Sequence, residues 1–225
     1  MGETAEGEEA TMSDVQYLSP NYRADQVDLT KFDDRVRVYE DQIRGWFLEP
    51  TKALLPVPNS AFAVLHILMG YFEHHAIYRY GASSEGKSKE FFRRGFTAVF
   101  PKAHQSEPAG PDLQAVSEWL AEAMYSDARC GLFHEWMARQ RIAVTDKPEL
   151  MRAFGRIGDI TGVVINAGKF LAMIETHFAQ YIGRLKDPSN TALRAAFNAG
   201  WESRTKTPTQ RIPSKSAPAR RAKRK

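Results

Sequence analysis

From residue 30 onward the apolar positions Phe32, Val36, Tyr39, Ile43, Trp46 and Phe47 recur at three- and four-residue steps. That spacing places them on one stripe of a helix, and Pro50 is predicted to mark its boundary. After PVPNS, where Asn59 or Ser60 can cap a helix start, a second helix is predicted to about Tyr80. Its opening run AFAVLHILMGYF is apolar but for His66. KSKEFFRRGFTAVF predicts a third helix ending before Pro101, HQSEPAGP reads as a loop, and Asp112 is placed to cap a fourth helix through DLQAVSEWLAEAMYSDA. Beyond RCGLFHEWMA the texture changes. RIAVT (141–145) and GVVIN (162–166) are short and β-branched, which predicts a strand pair. Asn166 then stands where it can cap a long helix, AGKFLAMIETHFAQYIGRLK, whose Phe170, Ile174, Phe178, Tyr181 and Leu185 share one face with His177. TALRAAFNAGW predicts a last, short helix. The pattern is that of an all-α bundle of about six or seven helices, with at most one short β-hairpin near 141–166.

Charge divides the chain into three parts. Residues 1–14 carry five acidic groups and no Lys or Arg, whereas residues 203–225 carry nine basic groups and no acid. The formal net charge of +4 therefore comes from the tail, and the stretch between the two ends is neutral. The tail holds Pro208, Pro213 and Pro218 and little that is apolar, too little to offset the entropy lost on ordering. The expected organisation is an acidic, disordered segment at 1–29, a helical domain at 30–202 and a basic, disordered tail at 203–225. That tail suits either solubilisation or a nonspecific hold on polyanions.

Composition also removes whole classes of function. Cys130 is the only cysteine, so an internal disulfide and a cysteine-based zinc cluster are both excluded. The start MGETAEGEEA is acidic where a secretory signal would be basic and then apolar. The apolar run at 61–72 spans twelve residues, short of the roughly 20 a membrane helix needs. A cytoplasmic protein with no membrane segment is expected.

Two short motifs compete for the chemistry. Gly81, Gly86, Lys87 and Ser88 match G-x-x-x-x-G-K-[ST], the loop that cradles nucleotide phosphates. That chemistry needs a strand to deliver the glycine-rich turn to a helix start. Here a long helix precedes Gly81, and no run of alternating strands is available to build a parallel sheet. The stretch is expected to be a helix–helix connection in which the glycines turn and Ser83 or Ser84 caps the third helix.

The second motif is RCGLFHEW, in which Arg129 and His134 form R-x-x-x-x-H. An imidazole that titrates near neutrality can take the proton of an RNA 2'-hydroxyl as it attacks the adjacent phosphate. A guanidinium can hold the phosphate oxygens as charge builds on them. On an ideal helix five residues set the two side chains about 140° apart, so a bend at Gly131 or a long reach by the arginine is required.

DARCGLFHEW resembles the signature of the HEPN superfamily, in particular a bacterial group whose motif reads Arg-Cys-Gly-Leu-x-His-Glu. GKSKEFFRRGFTAVF and GVVINAGKF are similar to other blocks of that group. The resemblance implies a HEPN-like helical bundle that forms a homodimer, with two motifs facing one another across a shared cleft. It implies RNA as partner and a metal-independent endoribonuclease activity, used in toxin or phage-defence systems under an antitoxin-like restraint. Arg129 would bind the phosphate and His134 would be the catalytic histidine. In active members the position after the arginine is usually Asn, Asp or His, and this chain has Cys130, a weaker hydrogen-bond partner. The competing expectation is a catalytically inactive module, in which the same pair holds the bundle together or binds a nucleotide.

Other constellations point elsewhere. Glu73, His74 and His75 are adjacent and diverge on a helix, so they do not gather on one metal. His134 and Glu135 lack the second histidine of H-E-x-x-H, and His177 on an apolar face reads as a core residue. Glu135, Arg139 and Arg141 stand near the motif, where they extend its polar surface or are solvated helix charges. No metal and no cofactor is expected.

Overall fold

The computed structural model describes residues 16–100, 113–156 and 159–205, and these are mostly helical. The first helix, α1 (Phe32–Ile43), does not stop near Pro50. It runs through a π-helical turn, Arg44–Leu48, into α2 (Glu49–Leu54). Pro50 falls in the first turn of α2, directly after the π-helical turn. The proline therefore sits at the change from π to α winding and does not end the helix.

α3 (Ala61–Tyr80) buries a broad half of its surface, including Leu65, Met69, Phe72, His75 and Ala76, and leaves Ala63 and Gly70 exposed on the other side. α4 (Ser88–Val99) lies against it. Contact is closest at Gly95, where a Cβ would collide with the Phe72 carbonyl. Around Phe72 the rings of Phe96, Phe92 and Phe170 lie 5.1, 5.3 and 5.8 Å away. A second aromatic group centres on Tyr39, with Tyr78, Phe197 and Phe178 around it. α7 (Ala167–Lys186) and α8 (Thr191–Thr205) close the core.

The expected hairpin is instead a three-stranded sheet. β1 (Ile142–Thr145) pairs in parallel with β3 (Asp159–Asn166), and β2 (Met151–Arg156) pairs antiparallel with the other edge of β3. β2 reads MRAFGR, with no β-branched residue and hence a weak strand signal. Its partner's free edge supplies what local propensity does not.

Capping shows which local signals hold. Asn166 caps α7 as expected, its Oδ1 accepting from the Lys169 N–H at 2.9 Å. Ser60 occupies the cap position of α3 without a side-chain hydrogen bond. Ser83 accepts from the Glu85 N–H within the turn, and α4 begins at Ser88 behind Lys87, so neither Ser83 nor Ser84 is the cap. Asp112, residues 1–15 and residues 206–225 lie outside the described residues.

Residues 16–29, expected to be disordered, fold back on α1. Asn21 donates from its backbone and side-chain nitrogens to the Asp41 carboxylate at 2.8 and 2.7 Å, and Leu18, Tyr22, Val27 and Leu29 pack on the core. Among the described residues no helix is long and apolar enough to cross a membrane.

Candidate functional site

The R-x-x-x-x-H stretch occupies a break in one helical rod. α5 (Leu113–Ala123) passes through a π-helical turn, Met124–Arg129, into the short α6 (Cys130–Glu135). Single π turns inside helices are frequent at functional positions. Arg129 is the last residue of the turn and Cys130, half-buried, the first of α6. Trp136 then ends the helix in the left-handed region, at φ 58°.

Gly131 does not bend the helix. It remains inside α6, and a Cβ there would lie 2.5 Å from the Met137 carbonyl oxygen. The chain reverses after Trp136 and passes directly over it. The glycine is needed for that close approach, not for rotating His134 toward Arg129.

Consequently the two motif side chains diverge. Arg129 turns to α3, where its Nη2 lies 3.4 Å from Glu73 Oε2, and both side chains are mostly buried. Its guanidinium sits 5.0 Å from the Phe133 ring centre and 5.6 Å from that of Tyr125. The Ser88 hydroxyl donates to the same Glu73 oxygen at 2.6 Å. His134 is exposed on the last turn of α6, and no hydrogen bond or ring contact joins it to Arg129. Its neighbours Phe133, Trp136 and Met137 are 45%, 82% and 64% exposed. The His66 ring lies 4.4 Å from Phe133 and 6.0 Å from Trp136, extending this surface across α3.

The supporting residues stabilise the reversal. Arg141 pairs with the buried Asp127 and donates to Ser126 at 3.2 Å. Arg139 grips Glu135 at 2.5 Å, and its backbone N–H donates to the Asp127 carbonyl at 3.0 Å. The hydrogen bond from Arg139 holds the Glu135 carboxyl below its usual range. Sequence reading missed Glu73, Asp127 and Ser88 as partners of the motif. The available signal was Glu73, the one carboxylate of α3.

The Gly-Lys-Ser loop runs from α3 to α4 with no strand feeding it. Gly81 ends α3 at φ 63°, its N–H donating to the Ile77 carbonyl. Lys87, Ser88, Arg93, Arg94 and Tyr125 line a cleft of about 1140 Å³. Most of its cations are already paired: Lys89 and Arg93 with Glu122 at 2.7 and 3.8 Å, and Arg94 with Glu90 at 3.5 Å. Arg94 also stacks 3.8 Å above the Tyr80 ring.

ATP with Mg²⁺ is accordingly expected to leave the melting temperature unchanged in the parent and in Lys87→Ala. A genuine site at a hundredfold over its dissociation constant would add about 2.7 kcal/mol, so a rise dependent on Lys87 would reverse this assignment.

Among the described residues no group of three or more His, Cys, Asp or Glu side chains is placed to hold a metal ion. Comparison with protein-family models, with curated proteins and with solved structures returns no match for the chain.

Proposed function

We propose that this chain is a HEPN-like RNA-binding protein that works as a homodimer and cleaves RNA without a metal ion. His134 removes the 2'-hydroxyl proton. The oxygen so activated bonds to the adjacent phosphorus, and the bond from phosphorus to the 5'-oxygen breaks. That oxygen then takes a proton from solvent, leaving a 2',3'-cyclic phosphate. Arg129 holds the phosphate oxygens through the charge build-up. In a cell, such an activity would be paired with an antitoxin-like restraint.

The strongest support is the surface around His134, an exposed imidazole ringed by the exposed Phe133, Trp136 and Met137. Contiguous apolar surface of this kind marks interaction sites. A second copy covering it would bring two motifs together, with each arginine lying behind its own rim. This arrangement answers the divergence of Arg129 and His134 within one protomer, because the histidine would act with the partner's arginine.

A specific observation favours the inactive module as a second reading: Glu73 already engages Arg129, and Ser88 shares that carboxylate. The two readings separate when purified protein is incubated with diverse RNAs in EDTA and the ends are mapped. Cyclic phosphate ends are expected on the first. Intact RNA under a dimeric protein establishes the second.

A further inference from the structure

A second cleft, of about 570 Å³, is lined by Arg79, Val99, Met173, His177, Tyr181 and Arg184. Its size is that of a small-molecule site. We propose that it binds a small organic phosphate, with Arg79 and Arg184 on the phosphoryl oxygens and His177 and Tyr181 donating hydrogen bonds to them. The proposal does not depend on any activity at Arg129.

Charge selects the ligand class. Among the described residues no Asp or Glu lines this cleft, and neither Arg79 nor Arg184 forms an ion pair with a carboxylate. In the larger cleft under α4, which shares Arg79, Glu122 and Glu90 pair with Lys89, Arg93 and Arg94. Uncompensated guanidiniums beside one cavity are matched best by a dianion, and their planar forks suit phosphoryl oxygens.

The inner polar groups are set as donors. Tyr71 Oη lies 2.8 Å from His177 Nδ1, and burial pushes the Tyr71 phenol well above its ordinary range, so it keeps its proton. In the Nε2–H tautomer of His177, Tyr71 donates to Nδ1 and the Nε2–H is left to donate. Burial and the nearby charges of Arg79 and Arg184 push the His177 imidazole down to about 4, so it is neutral near pH 7. The Tyr181 hydroxyl is buried without a hydrogen-bond partner. Behind both stands His75, 1% exposed, with its two ring nitrogens unpartnered and its ring 4.5 Å from His177 and 4.9 Å from Tyr181. Buried polar groups without partners are rare in folded proteins; that of Tyr181 lies at this cavity and those of His75 behind it, while others, among them Ser19, Gln42 and His74, lie elsewhere. Ala98, Val99, Ala172 and Met173 supply an apolar side, which suits an ester group on the phosphate over inorganic phosphate alone.

The test uses the full chain with phenyl phosphate, followed by calorimetry and by the histidine ring signals in NMR spectra. Saturable binding below about 10 mM is expected, with shifts in the His177 signals and weaker binding of inorganic phosphate; phenol should not compete. Arg79→Gln with Arg184→Gln should weaken binding by at least about tenfold, while Arg184→Lys retains part of it. Tyr181→Phe, which keeps the ring and removes only the donor, should weaken it by a smaller factor and guards against misfolding of the double variant. The proposal fails if phenyl phosphate does not bind, if the double glutamine variant binds as the parent does, or if a short single-stranded RNA shifts His177 where phenyl phosphate does not. RNA cleavage is read separately, so either proposal can fail alone.

Discussion

With His134 replaced by alanine, RNA cleavage is expected to fall by about 10² to 10⁴, the usual loss when a positioned acid–base group is removed. The fold should survive, because His134 is exposed at the end of a short helix and surface substitutions usually shift stability by no more than about 0.5 kcal/mol. Arg129→Ala should lose a similar factor through lost charge stabilisation, but it also strands the mostly buried Glu73 carboxylate. It should therefore be paired with Glu73→Gln. Glu73→Gln alone frees the guanidinium, so cleavage should hold or rise while the melting temperature falls. Initial rates on a defined RNA, measured with dimer content and melting temperature, check all four proteins. Parental rates in the His134 variant would leave the inactive module as the reading of this site.

Gly95→Ala is expected to cost about 3 kcal/mol, the upper part of the usual range for overpacking. The new Cβ would meet the Phe72 carbonyl oxygen, with the carbonyl carbon at 2.6 Å and Cα at 3.1 Å. These are main-chain atoms of the central helix and cannot turn aside as a side chain would. Separating α3 from α4 would also pull Phe92 and Phe96 off Phe72. Gly70 and Gly183 serve as controls, since a Cβ at either meets nothing within 4 Å. There alanine should stabilise by up to about 1 kcal/mol through helix propensity. Urea unfolding of the three variants checks the contrast, and equal effects at all three positions would mean that the helices have room to adjust.

Several features were legible from residues a few positions apart. The apolar steps in α1, α4 and α7 emerge as helices because a helical stripe is written at three- and four-residue spacing. Asn166 could be read as a cap because its partner is the N–H of Lys169, three residues on. The connection at 81–87 could be separated from a phosphate loop because the preceding segment is helical. What lies far apart in sequence was not legible. The parallel pairing of β1 with β3 and the recruitment of β2 depend on which edges meet. Passage of the first helix beyond Pro50 depends on a π turn that no residue pattern announced. Gly131 could be read as a hinge from sequence, yet its purpose is set by a chain that returns over it at Met137. Arg129 meets Glu73 across 56 positions, and Tyr71 meets His177 across 106. Side-chain spacing along one helix carries no information about such pairs. Helices follow from local geometry, whereas several of their ends, the partner of each buried charge and the clefts between helices are decided only once the rods have packed.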